Sequence, residues 1–117
     1  MRIMVAPETN EFFRVTSALA YAVPNNFAGA CGRKGYTITL YGKIKTNKAG
    51  VVEYNWVGSK GVPSKTKTLT FFGAYEQDVY DSVTYTRGIN YAWARIHIVS
   101  PNDRTFGKTT FHVECRY

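Results

Sequence analysis

At 117 residues and 44% hydrophobic content, the chain can bury one core without needing a metal or an oligomeric partner. Fifteen Lys and Arg against eight Asp and Glu give a formal charge of +7, which favours anionic partners such as nucleic acid, acidic glycans or membrane surfaces. No stretch approaches the roughly 18 to 20 apolar residues of a membrane span, because Arg14, Thr16 and Ser17 interrupt the run from Phe12 to Val23.

Residues 1–11 carry Pro7, Glu8, Asn10 and Glu11 with little period and read as a flexible leader; residues 12–117 read as one domain. Arg2 is followed by no long apolar stretch before Pro7, so the start does not read as a signal peptide. Either the protein stays in the cytoplasm or the chain is a mature or shortened form. Phe13, Val15, Ser17, Leu19, Tyr21 and Val23 share one alternation, which predicts a first strand ending at Pro24. Ala18, Ala20 and Ala22 blur its register, and a short helix from Ser17 to Ala22 competes with it. Pro24, Asn25 and Asn26 then form a turn signal leading through Phe27 and Gly29 to Cys31.

From Tyr36 to Thr46, Tyr36, Ile38, Leu40 and Ile44 face one way, and Thr37, Thr39, Tyr41, Lys43 and Lys45 the other. Gly42 interrupts the inward series and either makes room for a large ring, for which Trp56 is the candidate, or permits a bulge. After a hairpin loop at residues 47–50, Val52, Tyr54 and Trp56 form the apolar face of the next strand. Lys65 to Phe72 predicts an edge strand, with Leu69 and Phe71 inward and Pro63 before it. Val79 to Tyr85 predicts another. In Tyr91 to Ser100, Ala94, Ile96 and Ile98 oppose Trp93, Arg95, His97 and Val99, and in Lys108 to Cys115 the inward set is Thr109, Phe111, Val113 and Cys115. About seven short antiparallel strands at intervals of roughly a dozen residues predict an all-β sandwich or barrel.

Cys31 and Cys115 lie at element boundaries near opposite ends of the chain. They read as a disulfide staple, which favours an oxidising compartment; the alternative is two independent thiols in a reduced one. Neither has a Cys or His at metal-ligand spacing, so no metal or other cofactor is expected.

Several ordered segments carry a resemblance: GYTITLYGKI after a Cys, GVVEYNWVGSKG, TLTFF, WARIHIVSPN and the closing FHVEC. Over roughly Val15 to Cys115 the chain resembles small Ig-like β-sandwich modules of secreted and cell-surface bacterial proteins, especially those of actinobacteria. The resemblance implies a secreted or cell-surface location, an Ig-like sandwich, bonded flanking cysteines and no catalytic site. No cysteine lies inside the strand after Tyr91, so Trp56 is not backed by an inter-sheet disulfide as in antibody domains.

The expected function is therefore non-catalytic adhesion, or protein or glycan binding. Tyr41, Tyr80, Tyr91, Trp93 and Arg95 are candidate contact residues, because Tyr, Trp and Arg concentrate binding energy; the plainer reading of each is a cross-strand pair that stabilises the sheet. A nucleic-acid or polyanion binder using Lys43, Lys45, Lys48, Lys60, Lys65 and Lys67 is the alternative, against the plainer role of scattered lysines in solubility. A hydrolase would draw on His97 and His112, the two groups able to exchange protons near neutral pH. If their strands pair, both project from one sheet surface, which is otherwise an ordinary solvated face.

Overall fold

The period-two alternations become eight strands in the computed structural model, which describes residues 12–116. They are β1 (Val15–Val23), β2 (Asn26–Ala30), β3 (Tyr36–Thr46), β4 (Gly50–Gly58), β5 (Lys67–Phe71), β6 (Glu76–Tyr85), β7 (Ile89–Ser100) and β8 (Arg104–Arg116). A three-stranded sheet has the order β1-β3-β6, and a five-stranded sheet the order β2-β8-β7-β4-β5. The expected leader at residues 1–11 lies outside the described residues. No helix among the described residues is long and apolar enough to cross a membrane.

The inward faces of the two sheets supply the core. Ile38, Leu40 and Ile44 of β3 and Val79 and Val83 of β6 come from the smaller sheet. Val52, Tyr54 and Trp56 of β4, Ala94, Ile96 and Ile98 of β7, and Phe111 and Val113 of β8 come from the larger. Trp56 is 1% exposed, and its indole Nε1 has no hydrogen-bond partner among the described residues. As predicted, β5 is an edge strand, with Phe71 buried and Leu69 packed on the core.

Three expectations are corrected. The chain forms eight strands rather than seven, because Asn26–Ala30 is a strand and not the tail of a turn. It lies parallel to β8, so the larger sheet is not wholly antiparallel. Only Phe27 and Gly29 of β2 turn inward, too small an apolar signal to read as a strand; Phe27 stacks on Tyr36 with ring centroids 3.5 Å apart.

The second correction concerns β1. It is a strand, not the competing helix, and Ala18, Ala20 and Ala22 turn inward while Leu19, Tyr21 and Val23 are exposed. A register shift between Val15 and Ser17 moves the alternation by one residue, and such a slip sends every later side chain to the other face. Val15 therefore stays buried at 1% although Tyr21 does not.

Third, the space at Gly42 is filled by a different side chain. A Cβ there would meet Cδ1 of Ile96 and stand 3.1 Å from Cγ2 of Val79, so Ile96 of the opposite sheet occupies the place assigned to Trp56. Trp56 pairs beside Ile96 within the larger sheet.

Cys31 follows β2 and joins Cys115 of β8 in a disulfide, with Cα atoms 5.2 Å apart and a sequence separation of 84. At the far side of the sandwich Lys67 of β5 reaches across to Asp81 of β6 at 2.9 Å, joining the two sheets along their open edges. Gln77 reinforces this seam by donating from Nε2 to the carbonyl of Thr70 at 2.6 Å.

Candidate binding faces

The five aromatic and arginine candidates divide between the two outer surfaces. Tyr41 and Tyr80 lie on the smaller sheet, where strand register puts Tyr21, Tyr41 and Tyr80 in one row across β1, β3 and β6. Tyr21 and Tyr41 stack with centroids 5.3 Å apart and planes within 17°; Tyr41 and Tyr80 are 6.4 Å apart and tilted by 43°. This row crosses the full width of the sheet. Tyr80 is 70% exposed, and Leu19, Tyr21 and Val23 are each more than two-fifths exposed.

The rows on either side of the tyrosines are polar in different ways. On one side Leu19, Lys43 and Asp78 align, with Lys43 Nζ 3.8 Å from the Asp78 carboxylate. On the other, Val23 aligns with Thr39 and Ser82, and beyond them Thr37 and Thr84 share a hydroxyl hydrogen bond of 2.8 Å. Thr39, Ser82, Tyr41, Tyr80 and the Lys67–Asp81 pair line a shallow depression at the edge of this face. The bond to Asp81 is the main reason that the Lys67 ammonium is held above its ordinary value.

Trp93 and Arg95 lie on the larger sheet, facing outward from β7. The tight turn after β4 sets their position. Ser59 N–H donates to the carbonyl of Trp93 at 3.0 Å, and Trp93 N–H donates to Ser59 Oγ at 2.9 Å. Gly58 permits that approach, since a Cβ there would run into the carbonyl oxygen of Trp93. Arg95 Cζ lies 6.0 Å from the centre of the Trp93 ring. With Val57, Thr105 and Lys108 the two residues line a depression of about 310 Å3.

Tyr91 occupies the neighbouring part of this face. It is 90% exposed, has a φ of 57° and sits within the bulge between Ile89 and Ala92, beside Asn26 and His112. A left-handed backbone is uncommon for a residue with a side chain, and here the bulge re-aims the ring into solvent.

His97 and His112 share this surface and are not brought together. His97 pairs with Thr105, seven residues before His112 along β8, a separation of about 23 Å at strand rise. His97 is held between Asn55 Oδ1 at 3.0 Å and Asp103 Oδ1 at 2.6 Å. The geometry thus offers no two-histidine proton relay. No group of three or more His, Cys, Asp or Glu side chains suited to a metal ion occurs among the described residues.

The six lysines of the polyanion reading do not form one patch. Lys43 and Lys45 face outward on the smaller sheet, with Lys43 near Asp78. Lys48 and Lys60 flank opposite ends of β4, about 30 Å apart at strand rise. Lys65 precedes the edge strand, and Lys67 is paired with Asp81. Sequence reasoning also missed two residues that complete the faces, Tyr21 and Lys108. The period-two alanines opposite Tyr21 were the available signal.

No protein-family model, curated protein or solved structure matches this chain. The functional reading therefore rests on the faces themselves.

Proposed function

We propose that this chain is a non-catalytic binding module of Ig-like architecture, that it works in adhesion or docking outside the reducing cytoplasm, and that a protein partner seats on the outer face of β1-β3-β6. The observation that carries the reading is the Tyr21–Tyr41–Tyr80 row, an aromatic stripe on a sheet face that no other layer among the described residues covers. Tyrosine gives large contact area with only two rotatable angles to fix. Because Tyr21 and Tyr41 stack on each other, each ring has one face covered by its neighbour. That suits a protein surface better than a sugar ring, which packs against an open aromatic face.

The Ig-like assignment draws support from the strand order. β1 and β2 are consecutive yet sit in different sheets, and β2 runs parallel beside β8. Antibody domains place a core Trp against a disulfide joining the two sheets. Trp56 lies beside Ile96, which meets Gly42 across the core; on this reading a glycine and an isoleucine stand where antibody domains have those cysteines. The Cys31–Cys115 disulfide supports an oxidising compartment.

A photoreactive phenylalanine analogue in place of Tyr80 tests the reading on the intact protein in its producing cells. Light is expected to couple it to one protein species, and Tyr21→Ser or Tyr41→Ser is expected to abolish that coupling. Coupling that is indifferent to both substitutions would sink the docking face. Two free thiols in protein purified without reductant would sink the compartment.

A further inference from the structure

The opposite face carries an independent feature. Arg95 and Lys108 each bear a full positive charge, and neither forms an ion pair among the described residues. The carboxylates on this surface are already engaged. Asp103 binds His97, Glu53 accepts from Ser100, and Glu114 accepts from Arg116. Arg95 is partly buried, and its Nε lies out of solvent contact with no acceptor among the described residues. An anion in the depression would therefore meet the terminal Nη groups of the guanidinium. Thr105 adds a hydroxyl and Trp93 an aromatic wall.

We infer that Trp93, Arg95, Thr105 and Lys108 form a binding site for a carboxylate-bearing sugar, one uronic-acid unit of an acidic polysaccharide. The carboxylate sits between the Arg95 guanidinium and the Lys108 ammonium, Thr105 hydrogen-bonds a ring hydroxyl, and the apolar C–H face of the pyranose packs on the part of the indole that Arg95 leaves open. The depression, of about 310 Å3, is of monosaccharide scale. A polynucleotide fits less well. Such ligands need a positive groove that tracks successive phosphates, whereas here the row holding Arg95 is followed along β7 by the His97–Asp103 pair and then by Ser100 against Glu53. A repeating anion laid along β7 would meet two carboxylates, so the polysaccharide is held at one unit, with its chain crossing the strands rather than following β7. The site lies on the sheet opposite the tyrosine row and does not depend on the docking proposed there.

Affinity electrophoresis of the intact protein through gels containing polygalacturonate provides the test, with fully methyl-esterified polygalacturonate as the uncharged control. The wild-type protein is expected to be retarded by the acid form and not by the ester. Arg95→Gln and Lys108→Gln are each expected to weaken binding by about tenfold or more, the loss of one charge-assisted contact. Lys34→Gln removes the same charge from the loop after β2, and Tyr80→Ser alters the opposite face; both are expected to bind as wild type does. Lys108 is exposed, so its variant keeps the test sound if Arg95→Gln perturbs the fold. Equal retardation by the ester, equal loss with Lys34→Gln, or tighter binding of single-stranded oligothymidylate than of polygalacturonate would each overturn the site. Loss with Tyr80→Ser alone would do the same and would move the ligand to the tyrosine face.

Discussion

Gly42 of β3 and Ile96 of β7 meet across the centre of the sandwich, with the Ile96 Cδ1 methyl where a glycine Cβ would otherwise be. The two sheets fit tightly at this point, and the fit depends on a missing side chain.

Gly42→Ala is therefore expected to cost about 1 to 3 kcal/mol by overpacking. Ile96→Val alone should cost about 0.5 to 1.5 kcal/mol through a lost methyl. Combining them should cost less than the sum, because the shortened side chain accepts the new Cβ. Urea unfolding of the four proteins reads the coupling; strictly additive costs would show that the two positions do not compete for space.

Removing the covalent link between β2 and β8 has a different signature. Cys31→Ser with Cys115→Ser is expected to cost about 4 kcal/mol, mainly by freeing the unfolded chain. Wild-type protein unfolded in the presence of reductant should match the double variant. A midpoint unmoved by reductant would contradict the bond.

The Lys67–Asp81 bridge makes stability depend on pH at the alkaline end. Its hydrogen bond to Asp81 raises the Lys67 ammonium above the ordinary 10.5. A group raised in the folded state contributes fully below its unfolded value and loses that contribution as pH climbs through the folded value. Lys67→Met should cost at most about 1 kcal/mol at neutral pH, given the solvent exposure of the lysine. The gap from wild type should hold constant to pH 10 and close above it. An undiminished gap at higher pH would mean that the loss comes from packing and not from charge.

Tyr85 titrates with the same sign for another reason. Burial pushes its phenol above 10.0, and its hydroxyl donates to the carbonyl of Lys60 at 2.9 Å. Tyr85→Phe is expected to cost about 1 kcal/mol near neutrality through that lost bond. Above pH 10 the unfolded phenol ionises first and draws stability from the wild type alone, so the two unfolding curves should converge. Parallel curves up to pH 11 would argue against a buried neutral phenol.

The strands that were legible in the sequence are those with strong contrast between faces. β4, β7 and β8 alternate apolar with polar or charged residues, and that alternation alone points Trp56, Ile96 and Phe111 inward, where they are buried. β1 was ambiguous because small alanines bury well beside larger exposed residues, and the shift at Thr16 carries no glycine or proline to mark it. β2 was invisible because its place is fixed by a parallel partner more than eighty residues away, not by its own five residues. Likewise, the outward direction of Tyr41 and Trp93 followed from alternation. That they belong to opposite faces, with Tyr21 joining one and Lys108 the other, depends on strand order, which no local signal encodes.

The Cys31–Cys115 bond also decides how the chain responds to tension. A pull on Phe12 and Arg116 passes through the disulfide and leaves the intervening 84-residue loop unloaded. That loop withholds roughly 280 Å of contour at strand rise from any extension. Only β1, β2 and their flanking residues can be drawn out. Both outer faces, apart from Tyr21 and its neighbours on β1, would keep their shape under load.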